Sequence, residues 1–260
     1  MRRLFRFAGF SLAFLAIGSY VGWKALIAWE RWSAAAEFRK LSGTTAANIY
    51  NAHDLANPDG AFRIYAVNVV HTHPFEKPFI GFGVYLGKGA VLTASHVVGN
   101  WPFFTDLRVF IAGRNLPAKV IKQGPLEKID LTLISVDEGR LPAILKLRRN
   151  PLCKGPLRVN AKVVVVYPGR LVRATIISPL SIAPPYEKRF GSLINEPEVS
   201  GSGVFDATRK CLLGIISRKI PKVVYRREHD RLIVNETNDF AGYFVPASRI
   251  AGFLPPDFRF

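Results

Sequence analysis

Three short segments of this 260-residue chain carry the side chains that serine-dependent hydrolysis of an amide needs. Val91-Leu92-Thr93-Ala94-Ser95-His96-Val97-Val98 puts a histidine behind an apolar run and small residues, where an imidazole can point from a strand end into a cleft. Asp130-Leu131-Thr132-Leu133-Ile134 opens an apolar strand with a carboxylate. Val199-Ser200-Gly201-Ser202-Gly203-Val204-Phe205-Asp206 is a small-residue turn entering an apolar strand, with backbone amides free to face a bound group. Such chemistry requires a hydroxyl, an imidazole to take its proton, a carboxylate to orient the imidazole, and backbone donors for the oxyanion. Each segment alone has an ordinary reading: a carbonyl-bonded histidine, a turn aspartate, a small-residue loop. Their order, each at a strand edge, favours the joint reading.

The elements that must position these residues are strands. Beyond Gly60 the runs RIYAVNVV, GFGVYLG, AVLTASHVV, LRVFIAG, PAKVIKQ, LTLISV, AKVVVVYPG, VRATIIS, SGVF, CLLGIIS, KVVYRR, RLIVN and AGYFVP follow one another between Gly, Pro, Asn and Asp. Without intervening amphipathic helices, this cadence predicts antiparallel sheets in a barrel or sandwich and argues against a doubly wound α/β fold. Hydrophobic residues at 49% and charged residues at 21% suit a chain able to bury a core.

The net charge of +17 asks for an anionic partner or a solvated basic surface. Residues 1–40 hold seven Lys or Arg against Glu30 and Glu37, so about +12 is spread over the rest, which favours a solvated surface over a nucleic-acid site. Between Phe7 and Trp29 only Lys24 is charged, and these 23 residues would reach roughly 34 Å as a helix, enough to span a bilayer. Arg2, Arg3 and Arg6 before that stretch, with Trp23 and Trp29 as interfacial residues, predict an anchor whose following domain lies outside the cytoplasm, in a bacterial periplasm or at the cell exterior. A signal peptide cleaved near Ser33-Ala34-Ala35-Ala36 is the competing reading. The expected division is an anchor or signal segment over 1–29, a helix and linker over 30–60, and a catalytic domain over 61–260.

Taken together, the motifs resemble the chymotrypsin-like or trypsin-like serine peptidases, especially their compact bacterial members, from about Phe79 to Leu254. Gly81-Phe82-Gly83-Val84-Tyr85-Leu86-Gly87 followed by Leu92-Thr93-Ala94-Ser95-His96 is similar to the family's Thr-Ala-x-His element. Pro117-Ala118-Lys119-Val120 leading to Asp130-Leu131-Thr132-Leu133 resembles its Asp-Leu-Ala-Leu element. VVVVYPG resembles the strand opening the second barrel, Gly214-Ile215-Ile216-Ser217 the strand beside the primary pocket, and Tyr243-Phe244-Val245-Pro246-Ala247 the segment before a C-terminal helix.

The resemblance implies an all-β fold of two six-stranded antiparallel β-barrels, here preceded by an N-terminal transmembrane helix. It implies a serine endopeptidase acting on proteins or peptides through His96 as base, Asp130 as orienting carboxylate and Ser200 as nucleophile. Ser202 is the alternative nucleophile; Val204, four residues after Ser200, matches the family spacing and favours Ser200. The backbone amides of Glu198 and Ser200 would form the oxyanion hole, although the family carries glycine where Glu198 stands, and a Cβ restricts that peptide. Ile194 would lie at the base of the primary pocket, while Ser217, Arg218 and Lys219 would line a groove made narrow and positive. Cys153 and Cys211 could approach across the second barrel as a disulfide, or remain two buried thiols. His71-Thr72-His73 lacks a third ligand, and neither metal nor cofactor is implied. No peptide-binding module is expected after Leu254, and the sequence sets no oligomeric state. The alternative function is a catalytically silent protease-like module that binds peptides, or anionic polymer or lipid, through its basic surface.

Overall fold

The computed structural model describes residues 60–72, 79–99, 106–182, 191–196, 199–228 and 231–258. The expected anchor over 1–29 and the linker up to Asp59 lie outside the described residues. Among the described residues no helix is long and apolar enough to cross a membrane.

The β-branched runs form twelve strands in two closed barrels. The first holds β1 (Ala66–Thr72), β2 (Phe79–Gly87), β3 (Ala90–Thr93), β4 (Asp106–Ile111), β5 (Arg114–Gln123) and β6 (Thr132–Val136), in the order β1-β2-β3-β6-β5-β4. The second holds β7 (Lys162–Tyr167), β8 (Arg170–Ile177), β9 (Leu193–Ile194), β10 (Gly203–Asp206), β11 (Leu212–Glu228) and β12 (Arg231–Pro246), in the order β10-β11-β12-β9-β8-β7. All pairs between these strands are antiparallel, and closure through β1 with β4 and through β7 with β10 removes the open sheet edges. Three short helices, α1 (Ser95–Val98), α2 (Ala143–Leu147) and α3 (Ala247–Phe253), complete the described elements beside four 3-10 turns.

Side chains alternate along a strand, and here both faces of many strands are buried. Val163 and Val165 of β7 fill the second barrel, whereas Val164 and Val166 face a core shared between the barrels. Tyr85 and Val91 fill the first barrel, and Val84, Leu86 and Leu92 meet that shared core from the other side. This is why VVVVY reads as a continuous apolar run in an antiparallel sheet, a pattern more usual for strands covered on both faces. Phe205 lies fully buried in the shared core, its ring 4.7 Å from that of Phe62, and its burial contributes roughly 2–3 kcal/mol. Helix α3 returns from the second barrel to the first, where the Lys122 ammonium donates to the Phe253 carbonyl at 2.6 Å.

Two sequence expectations are corrected in detail. RIYAVNVV begins as a 3-10 turn over Gly60–Tyr65 and becomes strand only at Ala66. CLLGIIS and KVVYRR are one 17-residue strand, as RLIVN and AGYFVP are one of 16, because register shifts at Ile216/Arg218, Ile220/Pro221 and Val224/Tyr225 carry the ladder through the proline.

Candidate active site

Strand β3 ends at Thr93, and the chain then turns into α1, where buried Val97 and Val98 pack into the first-barrel core. His96, just before them, keeps 30% of its side chain exposed. The Ser95 hydroxyl donates to the Gly124 carbonyl at 2.9 Å and accepts from Thr132 Oγ1 at 3.2 Å, tying this corner to the segment that delivers Asp130. In that segment the amides of Lys128, Ile129 and Asp130 converge on the Pro125 carbonyl at 3.0–3.3 Å. The turn leaves Asp130 at φ 42°, a left-handed conformation that aspartate tolerates better than most residues.

Asp130 is 2% exposed, and its carboxylate accepts from three donors. His96 Nδ1 stands 3.0 Å from Oδ2 and 3.1 Å from Oδ1, the His96 backbone amide donates to Oδ1 at 3.2 Å, and the Ser217 hydroxyl donates to Oδ2. A carboxylate only accepts, so Nδ1 carries the imidazole proton and Nε2 keeps its lone pair. This tautomer suits a base at Nε2.

The serine turn belongs to the second barrel but rests on the first. The Phe82 amide of β2 donates to the Ser200 carbonyl at 3.2 Å. Gly201 has φ +86°, and a Cβ there would lie 1.8 Å from the Phe82 carbonyl oxygen, so only glycine permits this approach. The Gly201 amide donates to the Ile216 carbonyl at 2.8 Å, and the Ile216 amide returns a bond to the Ser202 carbonyl at 2.9 Å.

The two candidate serines differ sharply in environment. Ser202 is fully buried, and its hydroxyl has no hydrogen-bond partner among the described residues. Ser200 is half-buried, and its hydroxyl donates to the Ser217 carbonyl at 3.2 Å. Ser217 thus touches the carboxylate with its side chain and the Ser200 hydroxyl with its main chain. Sequence reasoning assigned Ser217 to the groove and missed its bond to Asp130; its position as the first polar residue after the apolar run Leu212–Ile216 was the available signal.

Of the other residues singled out in the sequence, Ile194 lies in the core of the second barrel, paired through β9 with Ile176 and Gly242. Arg218 and Ser217 border a small cavity of about 50 Å³ beside Asp130, together with Tyr243 and Arg249, and neither Ile194 nor Lys219 reaches it. Lys219 is exposed on β11. Glu198 lies outside the described residues. Cys153 and Cys211 are joined as a disulfide, with their Cα atoms 5.0 Å apart.

No protein-family model matches the chain and no curated protein aligns with it significantly. Solved structures do match. The active form of the Rv3671c protease from M. tuberculosis superposes with a TM-score of 0.53 at 18% identity, over 78% of this chain and 85% of that one. The inactive form of the same protease gives 0.52 at 19% identity, over 78% and 94%. The serine endoprotease from Yersinia pestis gives 0.51 at 16% identity, over 75% and 64%. At such identities the likeness concerns architecture: the chain has the two-barrel fold of trypsin-like serine proteases.

Proposed function

We propose that this chain is a serine endopeptidase. Its substrate is a protein or peptide, and it needs no metal or cofactor. Ser200 Oγ attacks the scissile carbonyl while His96 Nε2 takes its proton; Asp130 holds the imidazole tautomer and stabilises the imidazolium that forms. The amides of Ser200 and Glu198 bind the oxyanion, His96 returns its proton to the leaving amine, and water then releases the acyl group from Ser200. Among the described residues the Ser200 amide makes no backbone hydrogen bond, which suits that task. Arg218, which borders the small cavity beside Asp130, and the exposed Lys219 are the side chains assigned to substrate selection, whereas the side chains of Ile194 and Ser217 are buried, Ile194 in the second-barrel core and Ser217 against Asp130. The observation that carries this reading is the buried Asp130 carboxylate facing His96 Nδ1 at 3.0 Å, with Ser217 linking it to Ser200.

A second reading is a silent protease-like module that binds peptides or an anionic polymer or lipid. It is favoured by one observation: the Ser200 hydroxyl addresses the Ser217 carbonyl, and no hydrogen bond joins it to His96 among the described residues. Fluorophosphonate labelling separates the two. Labelling abolished in Ser200→Ala and His96→Ala but retained in Ser202→Ala supports the peptidase; a folded wild-type chain that takes no label supports the silent module. In either case residues 7–29 are read as a membrane anchor, or as a cleaved signal, with the two-barrel domain outside the cytoplasm.

A further inference from the structure

The strand ends divide the described protein into two faces. β3 and β6 approach His96 and Asp130 at one end, and β10 starts just after Ser200. At their other ends lie the turn at 87–89, the segment 137–149, and the turn at 206–211. These distal turns are dense in cations. Lys88, Arg140, Lys146, Arg148 and Arg149 come from the first barrel and the segment after it, and Lys154, Arg209 and Lys210 from the second. Arg114 joins them, since its guanidinium donates to the Arg140 carbonyl. Among the described residues the carboxylates of these turns are Asp137, Glu138 and Asp206, and Asp206 is already paired with Arg209 at 2.8 Å.

The face is held rigidly. Tyr85 Oη, inside the first barrel, donates to the Leu145 carbonyl at 3.2 Å and accepts from the Gly89 amide at 3.3 Å, fixing α2 and the Lys88 turn to one another. Between Lys146 and Arg148 stands Leu147, an apolar side chain 84% exposed. The described chain also begins here: Phe62, in the first turn after Gly60, lies under the Lys210 ammonium at 4.9 Å. The described residues thus begin on the basic side, with residues 30–59 between them and the apolar stretch 7–29 in the sequence.

We propose that this basic face docks on an anionic phospholipid bilayer, with Leu147 at the boundary of headgroups and acyl chains and the His96–Asp130 cleft turned toward water. Clustered Lys and Arg bind anionic headgroups, and an exposed leucine among them is interfacial chemistry that a phosphate backbone of nucleic acid would not reward. The inference is independent of the peptidase chemistry and takes from the function proposed above only the tether at 7–29.

The test uses the full chain carrying an environment-sensitive fluorophore at Leu147→Cys, or at Lys128→Cys on the cleft side as control. The protein is incorporated into nanodiscs of phosphatidylcholine alone or mixed with phosphatidylglycerol, each with nitroxide-labelled lipid as quencher. Incorporation itself reads the tether; if it fails, the same labels are read against preformed vesicles of both compositions. Quenching at Leu147→Cys that requires phosphatidylglycerol, is absent at Lys128→Cys, and weakens about fivefold in docking equilibrium for each of Lys88→Gln and Arg148→Gln is the expected result. Equal quenching in neutral and anionic bilayers, quenching at the control site, or displacement of the label from the bilayer by a DNA oligonucleotide overturns the proposal, the last in favour of nucleic acid.

Discussion

The Phe82 amide in the first barrel donates to the Ser200 carbonyl in the second at 3.2 Å. The candidate nucleophile is therefore located by a barrel to which it does not belong, and the neighbouring residue must be glycine for the contact to exist. Gly201→Ala brings a methyl group against the Phe82 carbonyl at a positive φ. We expect a loss of about 3 kcal/mol or more in unfolding free energy, with fluorophosphonate labelling abolished. Chemical denaturation and labelling of the same preparation check both.

Ser202 supplies the opposite case. A buried hydroxyl without a partner costs about 1–3 kcal/mol relative to an apolar group that fits. Ser202→Ala is expected to raise stability by about 1 kcal/mol and leave labelling intact, whereas Ser200→Ala removes labelling at unchanged stability. A Ser202→Ala variant that loses labelling while remaining folded would reverse the assignment of the nucleophile.

Asp130 and Ser217 should separate in kinetics. Asp130→Asn reverses the donor at His96 Nδ1 and is expected to lower kcat by about 10⁴. Ser217→Ala removes one of three donors to a buried carboxylate, a loss of roughly 10–100-fold from a charged hydrogen bond of about 1.5–3 kcal/mol. A peptide-substrate kcat series over the two single variants checks the order.

The pH dependence of stability has an identifiable contributor in Asp206. Burial raises its pKa, but the Arg209 amide and guanidinium, the Thr208 amide and the Arg209 charge together outweigh burial and hold the carboxyl below the usual carboxylate range. A depressed native value means that the unfolded chain binds the proton first as pH falls. The stabilisation is present above the unfolded carboxylate value and is lost as pH drops through the native one. The stability gap between wild type and Asp206→Asn should therefore be widest near neutrality and shrink in acid, as read by denaturation at successive pH values.

How far the sequence discloses this molecule depends on the residue. His96 and Asp130 are legible because each follows or opens a strand of unmistakable composition, and the structure brings their side chains to 3.0 Å. The strands of the second barrel are legible as runs, but not their lengths, since a proline inside β11 reads as a break until a register shift absorbs it. β9 is invisible, being two residues whose strand character comes entirely from β8 and β12 on either side. The burial of Ser202 and the carbonyl contact of Ser200 are likewise set by the partner barrel, and no local pattern encodes them. The basic distal face is dispersed over turns remote in sequence, so charge counted along the chain looks evenly spread.

The Cys153–Cys211 disulfide, spanning 58 positions, closes a covalent ring that contains β7 to β10 and the Ser200 turn. A single backbone cut anywhere inside that ring would leave both fragments on one molecule. Self-digestion of an exposed turn in this region would thus yield a nicked species of unchanged mass apart from one water, separable only after reduction. The serine turn can be severed in sequence on either side without being released from the protein.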